Sequence, residues 1–129
     1  MEKQIYVFYD PFEEYAVKIG VAHDMEARLD EFSKSVPSSY FVISCFDIPD
    51  NLSDSDVIHF ITDRHPKCRV VKIGKSGKLY ESEYFDLTII PINVLIYELE
   101  RFIDEYQIDT LFYKNYHFIK DIQEKIGAK

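Results

Sequence analysis

The chain has 129 residues, of which 47% are apolar and 16% aromatic, with ten tyrosines, ten phenylalanines and no tryptophan. That length predicts one domain with a sizeable core, and the aromatic content excludes a disordered chain. A net charge of −8 argues against non-specific attachment to nucleic acid, whose phosphates the protein as a whole repels.

In chain order, Lys3–Tyr9 (KQIYVFY) predicts a strand that ends at the turn signal Asp10-Pro11. Tyr15–Ala22 (YAVKIGVA) predicts a second strand, joined to the first by a connection of hairpin length. Asp24 is placed to cap a helix over Met25–Ser35, with Met25, Leu29 and Phe32 on its apolar face. Ser38–Ile48 alternates as a third strand. Ser53-Asp54-Ser55-Asp56 reads as a helix start leading into VIHFITDR, with Pro66 soon after its end. Cys68–Ile73 and Lys78–Leu87 predict two strands around the turn Gly74-Lys75-Ser76-Gly77. Pro91 opens a long amphipathic helix carrying Leu95, Ile96, Leu99, Phe102, Ile103 and Tyr106. A last helix is expected from about Asp109 to Ile126.

Charge is segregated along this sequence. Between Arg64 and Lys78 stand six basic residues (Arg64, Lys67, Arg69, Lys72, Lys75, Lys78) and no acidic one. Lysines alternating along a hairpin suit a phosphate backbone, and they also suit a solvated edge that discourages aggregation. Cys45 and Cys68 lack metal-ligand spacing and read as reduced, core-type thiols. No apolar run approaches the roughly 18 residues of a membrane span, so a cytoplasmic protein with no membrane partner is expected.

The residues that could carry chemistry are Tyr6 on the first strand, Lys18 on the second and Arg28 on the helix after it. On one face of a small sheet they would converge as a phosphate-handling group. Each has a duller reading: a half-buried strand tyrosine, an exposed strand lysine, a surface arginine. The tetrapeptide VKIG occurs at 17–20 and again at 71–74, and only the first copy has a downstream arginine.

Taken together, Ile5-Tyr6, Lys18-Ile19-Gly20 and Arg28 resemble the core of the GIY-YIG nuclease superfamily. The closer likeness is to its small phage and bacterial branch, in which lysine replaces the second tyrosine. Ile58-His59 matches that branch's Leu-His pair, and Ser82-Glu83-Tyr84-Phe85 matches its Gly-Glu-Trp-Phe-like turn. The resemblance covers about residues 4–87. It implies an α/β fold, a small and mainly antiparallel sheet flanked by helices, occupying residues 1–90. Two C-terminal helices over 91–129 would pack on the same core.

The resemblance also implies a metal-dependent DNA endonuclease. Tyr6, with Lys18 beside it, would activate water, Arg28 would grip the scissile phosphate, and His59 would complete the catalytic set. One Mg2+ or Mn2+ would sit on a carboxylate. The branch's metal-binding glutamate falls here on Ser55, which leaves Asp54, Asp56 and Glu83 as candidates, and Gln4 replaces the opening glycine. Lys67, Arg69, Lys72, Lys75 and Lys78 would contact DNA. The alternative is a catalytically degenerate module that binds nucleic acid or a protein partner, as a phage-type interaction or inhibitor protein would. For His59 between Ile58 and Phe60, the duller reading is a satisfied core histidine. The aromatic segment Leu111–Phe118 is the expected place for a protein partner or a homodimer contact.

Overall fold

A computed structural model of the chain describes residues 3–9, 15–22 and 41–127. The helix expected over Met25–Ser35, and Arg28 with it, lies outside the described residues. Strand β1 (Lys3–Tyr9) is an alternating aromatic and β-branched run, and it pairs antiparallel with β2 (Ala16–Ala22) and β3 (Phe41–Ile48). After β3 come helix α1 (Asp54–Arg64), strands β4 (Arg69–Ile73) and β5 (Leu79–Asp86), and helix α2 (Ile92–Glu105). The short strand β6 (Tyr113–Lys114) and helix α3 (Tyr116–Gly127) follow. The six described strands form one antiparallel sheet in the order β4-β5-β2-β1-β3-β6, an α/β fold ending in two C-terminal helices.

Side chains on a strand alternate between faces, and here both faces are used. Ile5, Val7 and Tyr9 of β1, with Val17 and Ile19 of β2, enter the main core. The helices close over that face with Val57 and Ile61 of α1, Leu95, Leu99 and Phe102 of α2, and Ile119 and Ile122 of α3. In α2 the buried residues recur at helical spacing, which is why this segment folds as one amphipathic helix. Tyr6 and Phe8 point to the opposite face and are nevertheless buried. Among the described residues no helix is long and apolar enough to cross a membrane.

One element differs from the expectation. The segment from Asp109 does not enter a helix at once. Tyr113 and Lys114 first pair with Cys45 and Ser44 at the sheet edge, and Phe112 packs edge-on against Phe46 with ring centroids 5.6 Å apart. Helix α3 starts only where the Asn115 side chain accepts the Phe118 N–H at 3.1 Å. Ser82-Glu83-Tyr84-Phe85 matches a turn only in the resemblance; as part of Lys78–Leu87 it reads as strand, and it forms as strand. It lies within β5, where Lys18↔Tyr84 and Val17↔Phe85 pair across to β2.

The register also shapes the β4–β5 hairpin. Strand β5 pairs with β2 only over Tyr84–Asp86, whereas its pairing with β4 continues out to Val71↔Glu81, Lys72↔Tyr80 and Ile73↔Leu79. Among the described residues the outer half is therefore a two-stranded ribbon running past the rest of the sheet. Its turn closes with Gly74 N–H donating to the Lys78 carbonyl at 2.9 Å, and Gly77 takes the left-handed φ of +82° that the turn requires.

Candidate nucleic-acid interface

The KIG motif explains itself in the pairing of β1 with β2. Tyr6 stands opposite Gly20, and Lys18 stands opposite Phe8, so Tyr6 and Lys18 are diagonal neighbours on one face. The Tyr6 ring lies across Gly20. A Cβ placed there would meet the Tyr6 hydroxyl and come within 2.5 Å of its Cζ. The ring also stacks on Phe8 at 4.1 Å between centroids, and Tyr6 is only 1% exposed. Glycine is thus required at position 20 by the tyrosine that crosses it.

Lys18 reaches from β2 toward β5. Its Nζ lies 3.5 Å from a carboxylate oxygen of Glu83, which is 53% exposed while the lysine side chain is 14% exposed. Around them lies a cleft of about 410 Å3 lined by Lys18, Arg69, Lys72, Tyr80, Glu81, Ser82, Glu83 and Tyr84. Lys72 Nζ sits 4.3 Å above the Tyr84 ring, a cation–π contact. Arg69 fastens the cleft floor: its Nε donates to the Ser82 carbonyl at 2.8 Å, and its Nη1 reaches Glu81 at 3.2 Å. Ser82 Oγ donates to the Val70 carbonyl at 2.6 Å and bridges the register shift between Arg69 and Val71. The cleft combines cations and two aromatic faces, the groups that hold a phosphate and a base, with the carboxylates of Glu81 and Glu83 paired to Arg69 and Lys18.

The other expected residues are placed differently. Asp56 accepts the backbone N–H of Ser53 at 2.8 Å, closing the start of α1, and Asp54 accepts the Ser55 N–H. His59 is exposed on α1, between buried Ile58 and Phe60, so it is not a core histidine. Helix α1 packs on the Ile5/Val7 face, so Asp56 and His59 stand across the sheet from Tyr6 and Lys18. Lys67, in the left-handed region at φ 64°, lies in the turn before β4, while Lys75 and Lys78 are exposed in the turn of the ribbon. Arg28 and its relation to Lys18 lie outside the described residues. Of the expected set, Tyr6, Lys18 and Glu83 come together. Tyr80 and Tyr84 were missed as cleft residues, although their period-two spacing with Ser82 on one strand was a readable signal.

The sequence profile of the T5orf172 domain matches residues 3–107, from β1 through the end of α2. The chain belongs to the T5orf172 domain family. This is a phage-associated domain related to nuclease-like modules. No curated protein and no solved structure matches the chain significantly.

In this T5orf172 domain, a divalent ion can be tested against the donors present. Mg2+ accepts one or two carboxylates and completes its shell with waters and phosphate oxygens. Glu83 meets that minimum on the Lys18 side of the sheet. Asp56 does not, because its carboxylate is engaged at the start of α1 on the other face. Among the described residues, no group of three or more His, Cys, Asp or Glu is arranged to hold a metal. Both thiols are less acidic than a free cysteine: burial pushes Cys68 up, and burial followed by the Asp47 charge pushes Cys45 up.

Proposed function

We propose that this T5orf172 domain is a nucleic-acid-binding module of GIY-YIG-like descent, with lysine in place of the second tyrosine. It holds a phosphate at Lys18 in the β2–β5 cleft and tracks the flanking backbone with the lysines of the β4–β5 ribbon. The segregation of charge carries this reading. A chain of net charge −8 concentrates six basic residues and no acidic one between Arg64 and Lys78. Of that run, Arg69, Lys72, Lys75 and Lys78 lie on the ribbon beside Lys18, while Arg64 ends α1 in ion pairs with Glu98 and Glu105, so local attraction at the ribbon can overcome overall repulsion. The exposed Glu83 side chain is a weak surface partner for Lys18, and an arriving phosphate displaces it at little cost. The sealed Tyr6 hydroxyl favours holding over cutting, since a group that activates water must touch it.

A second reading is supported by the Lys18–Glu83 pair itself: a one-metal DNA endonuclease in which Glu83 supplies the carboxylate for Mg2+ or Mn2+ and Arg28 grips the phosphate. The ion would stabilise charge on the departing oxygen. Incubation of the protein with supercoiled plasmid and Mn2+ separates the two. The binding reading expects a retarded but intact plasmid. Nicking that disappears in both Glu83→Gln and Arg28→Ala would replace it with the endonuclease reading.

A further inference from the structure

The outer end of the β4–β5 ribbon carries side chains that neither the core nor the cleft uses. Val71, Ile73 and Leu79 share one of its faces, and Ile73 and Leu79 face each other as a cross-strand pair. Ile73 is 72% exposed and Leu79 70% exposed. A two-stranded ribbon with no further sheet neighbour among the described residues is marginal in water, and the Ile73–Leu79 cross-strand contact adds to it only modestly while leaving most of both side chains in solvent. Lys75 and Lys78 flank this apolar pair. From Arg69 to Tyr80 there is no Asn, Gln, Asp or Glu, and the carboxylate on this face, Glu81 opposite Val71, stands two pairs in from Ile73–Leu79 and is held by Arg69 at 3.2 Å. The end of the ribbon therefore has cations for phosphates and aliphatic surface for bases, but no amide or carboxylate with which to read base edges.

We infer that Ile73 and Leu79 form an apolar wedge that enters the minor groove of duplex DNA, unstacks a base step and bends the duplex, while Lys75 and Lys78 hold the phosphates on either side. The inference rests on the nucleic-acid reading above and names duplex DNA as the ligand. Minor-groove wedges of this kind use aliphatic side chains, and bending brings more of the duplex against the protein. Charge complementarity with phosphate argues for DNA, since Lys75 and Lys78 flank the aliphatic pair, and a second copy of this acidic chain is the competing occupant that the test distinguishes. Pyrimidine–purine steps, the easiest to unstack, should be preferred without strict sequence specificity.

The test uses the full chain and a 30-base-pair A·T-rich duplex carrying 2-aminopurine at a TA step and a fluorophore pair at its ends. Wild-type protein should raise 2-aminopurine fluorescence and shorten the end-to-end distance. The double variant Ile73→Asn/Leu79→Asn changes only exposed side chains, so its circular dichroism should stay native. It should lose both signals and bind about tenfold more weakly, the loss expected from two unburied aliphatic side chains. It should nevertheless keep the salt dependence that the lysines supply. Wild-type binding without unstacking, or unstacking that persists in the double variant, overturns the wedge while leaving the nucleic-acid reading intact. Absence of DNA binding overturns both. A wild-type dimer in sedimentation that the double variant converts to monomer would instead assign the pair to self-association and overturn the wedge.

Discussion

Replacing Gly20 with alanine should destabilise the protein far more than the same change at Gly74, although both glycines end a VKIG tetrapeptide. At position 20 the new Cβ would come 2.5 Å from Tyr6 Cζ and 2.9 Å from its Cε2. The ring cannot retreat easily, because it is 1% exposed and stacked on Phe8. Overpacking of this kind costs about 1–3 kcal/mol. At position 74 the nearest atoms to an added Cβ are the Lys78 carbonyl oxygen at 3.6 Å and Tyr80 Cδ1 at 3.7 Å, which is ordinary contact. Alanine there loses nothing in packing, and by stiffening the unfolded chain it should fall within about 1 kcal/mol of wild type. Urea unfolding monitored by circular dichroism reads both values from the midpoint at constant slope. A double-mutant cycle then isolates the cause. With Tyr6→Leu in the background, the cost of Gly20→Ala should shrink toward zero, a coupling of about 1–3 kcal/mol. Equal penalties at the two glycines, or a Gly20 penalty that persists without the ring, would refute the account of the motif as a tyrosine crossing a glycine.

Three further outcomes follow from the same geometry. Asp56→Ala should cost about 0.5–2 kcal/mol through the lost contact at the start of α1 and leave DNA affinity unchanged, measured by urea unfolding and fluorescence anisotropy. Glu98 is buried in α2, with Arg64 Nη1 3.7 Å and His65 Nε2 3.8 Å from its carboxylate. Arg64→Ala should therefore destabilise by about 1–3 kcal/mol, less than for a fully buried pair because the arginine is a third exposed, and Arg64→Ala/Glu98→Leu should recover most of it in thermal unfolding. The Cys68 thiol is buried and its pKa raised, so at a given pH the folded protein carries less thiolate than an unfolded chain. Alkylation by iodoacetamide should be slow below the ordinary thiol range and accelerate as pH rises, and denaturation should abolish the protection.

Much of the fold was legible because local pattern and tertiary role agree. The β-branched and aromatic run of Lys3–Tyr9 suits a strand buried on both faces, the helical spacing from Leu95 to Phe102 is set by the one face that is buried, and both elements form as read. The six-residue basic run marked the ribbon only in part: Arg69, Lys72, Lys75 and Lys78 lie on it, whereas Arg64 ends α1 and Lys67 lies in the turn before β4. What local pattern does not carry is which face of the sheet a helix covers. That long-range choice puts Asp56 and His59 across the sheet from Lys18, although their spacing suggested one site. The LFYK run at 111–114 was absorbed into a helix because its strand partner, Cys45 with Ser44, is some seventy residues away. The Ser82–Phe85 segment matched a turn only by resemblance, while its place in Lys78–Leu87 read as strand, and Ser82 spends its hydroxyl on the Val70 carbonyl within that ladder. The segment Leu111–Phe118 does keep Leu111 and Tyr116 exposed, while Phe112 packs against Phe46.

The most direct measurement of the central claim is the salt dependence of duplex binding, followed by fluorescence anisotropy across a KCl series. Each lysine that neutralises a phosphate contributes a slope of about −0.9 in log K against log salt. Wild-type protein should bind with a clear negative slope, and Lys18→Gln/Lys75→Gln/Lys78→Gln should weaken binding and flatten that slope by about 2–3. Salt-independent binding, or a triple variant with the wild-type slope, would contradict the placement of the interface at the Lys18 cleft and the ribbon.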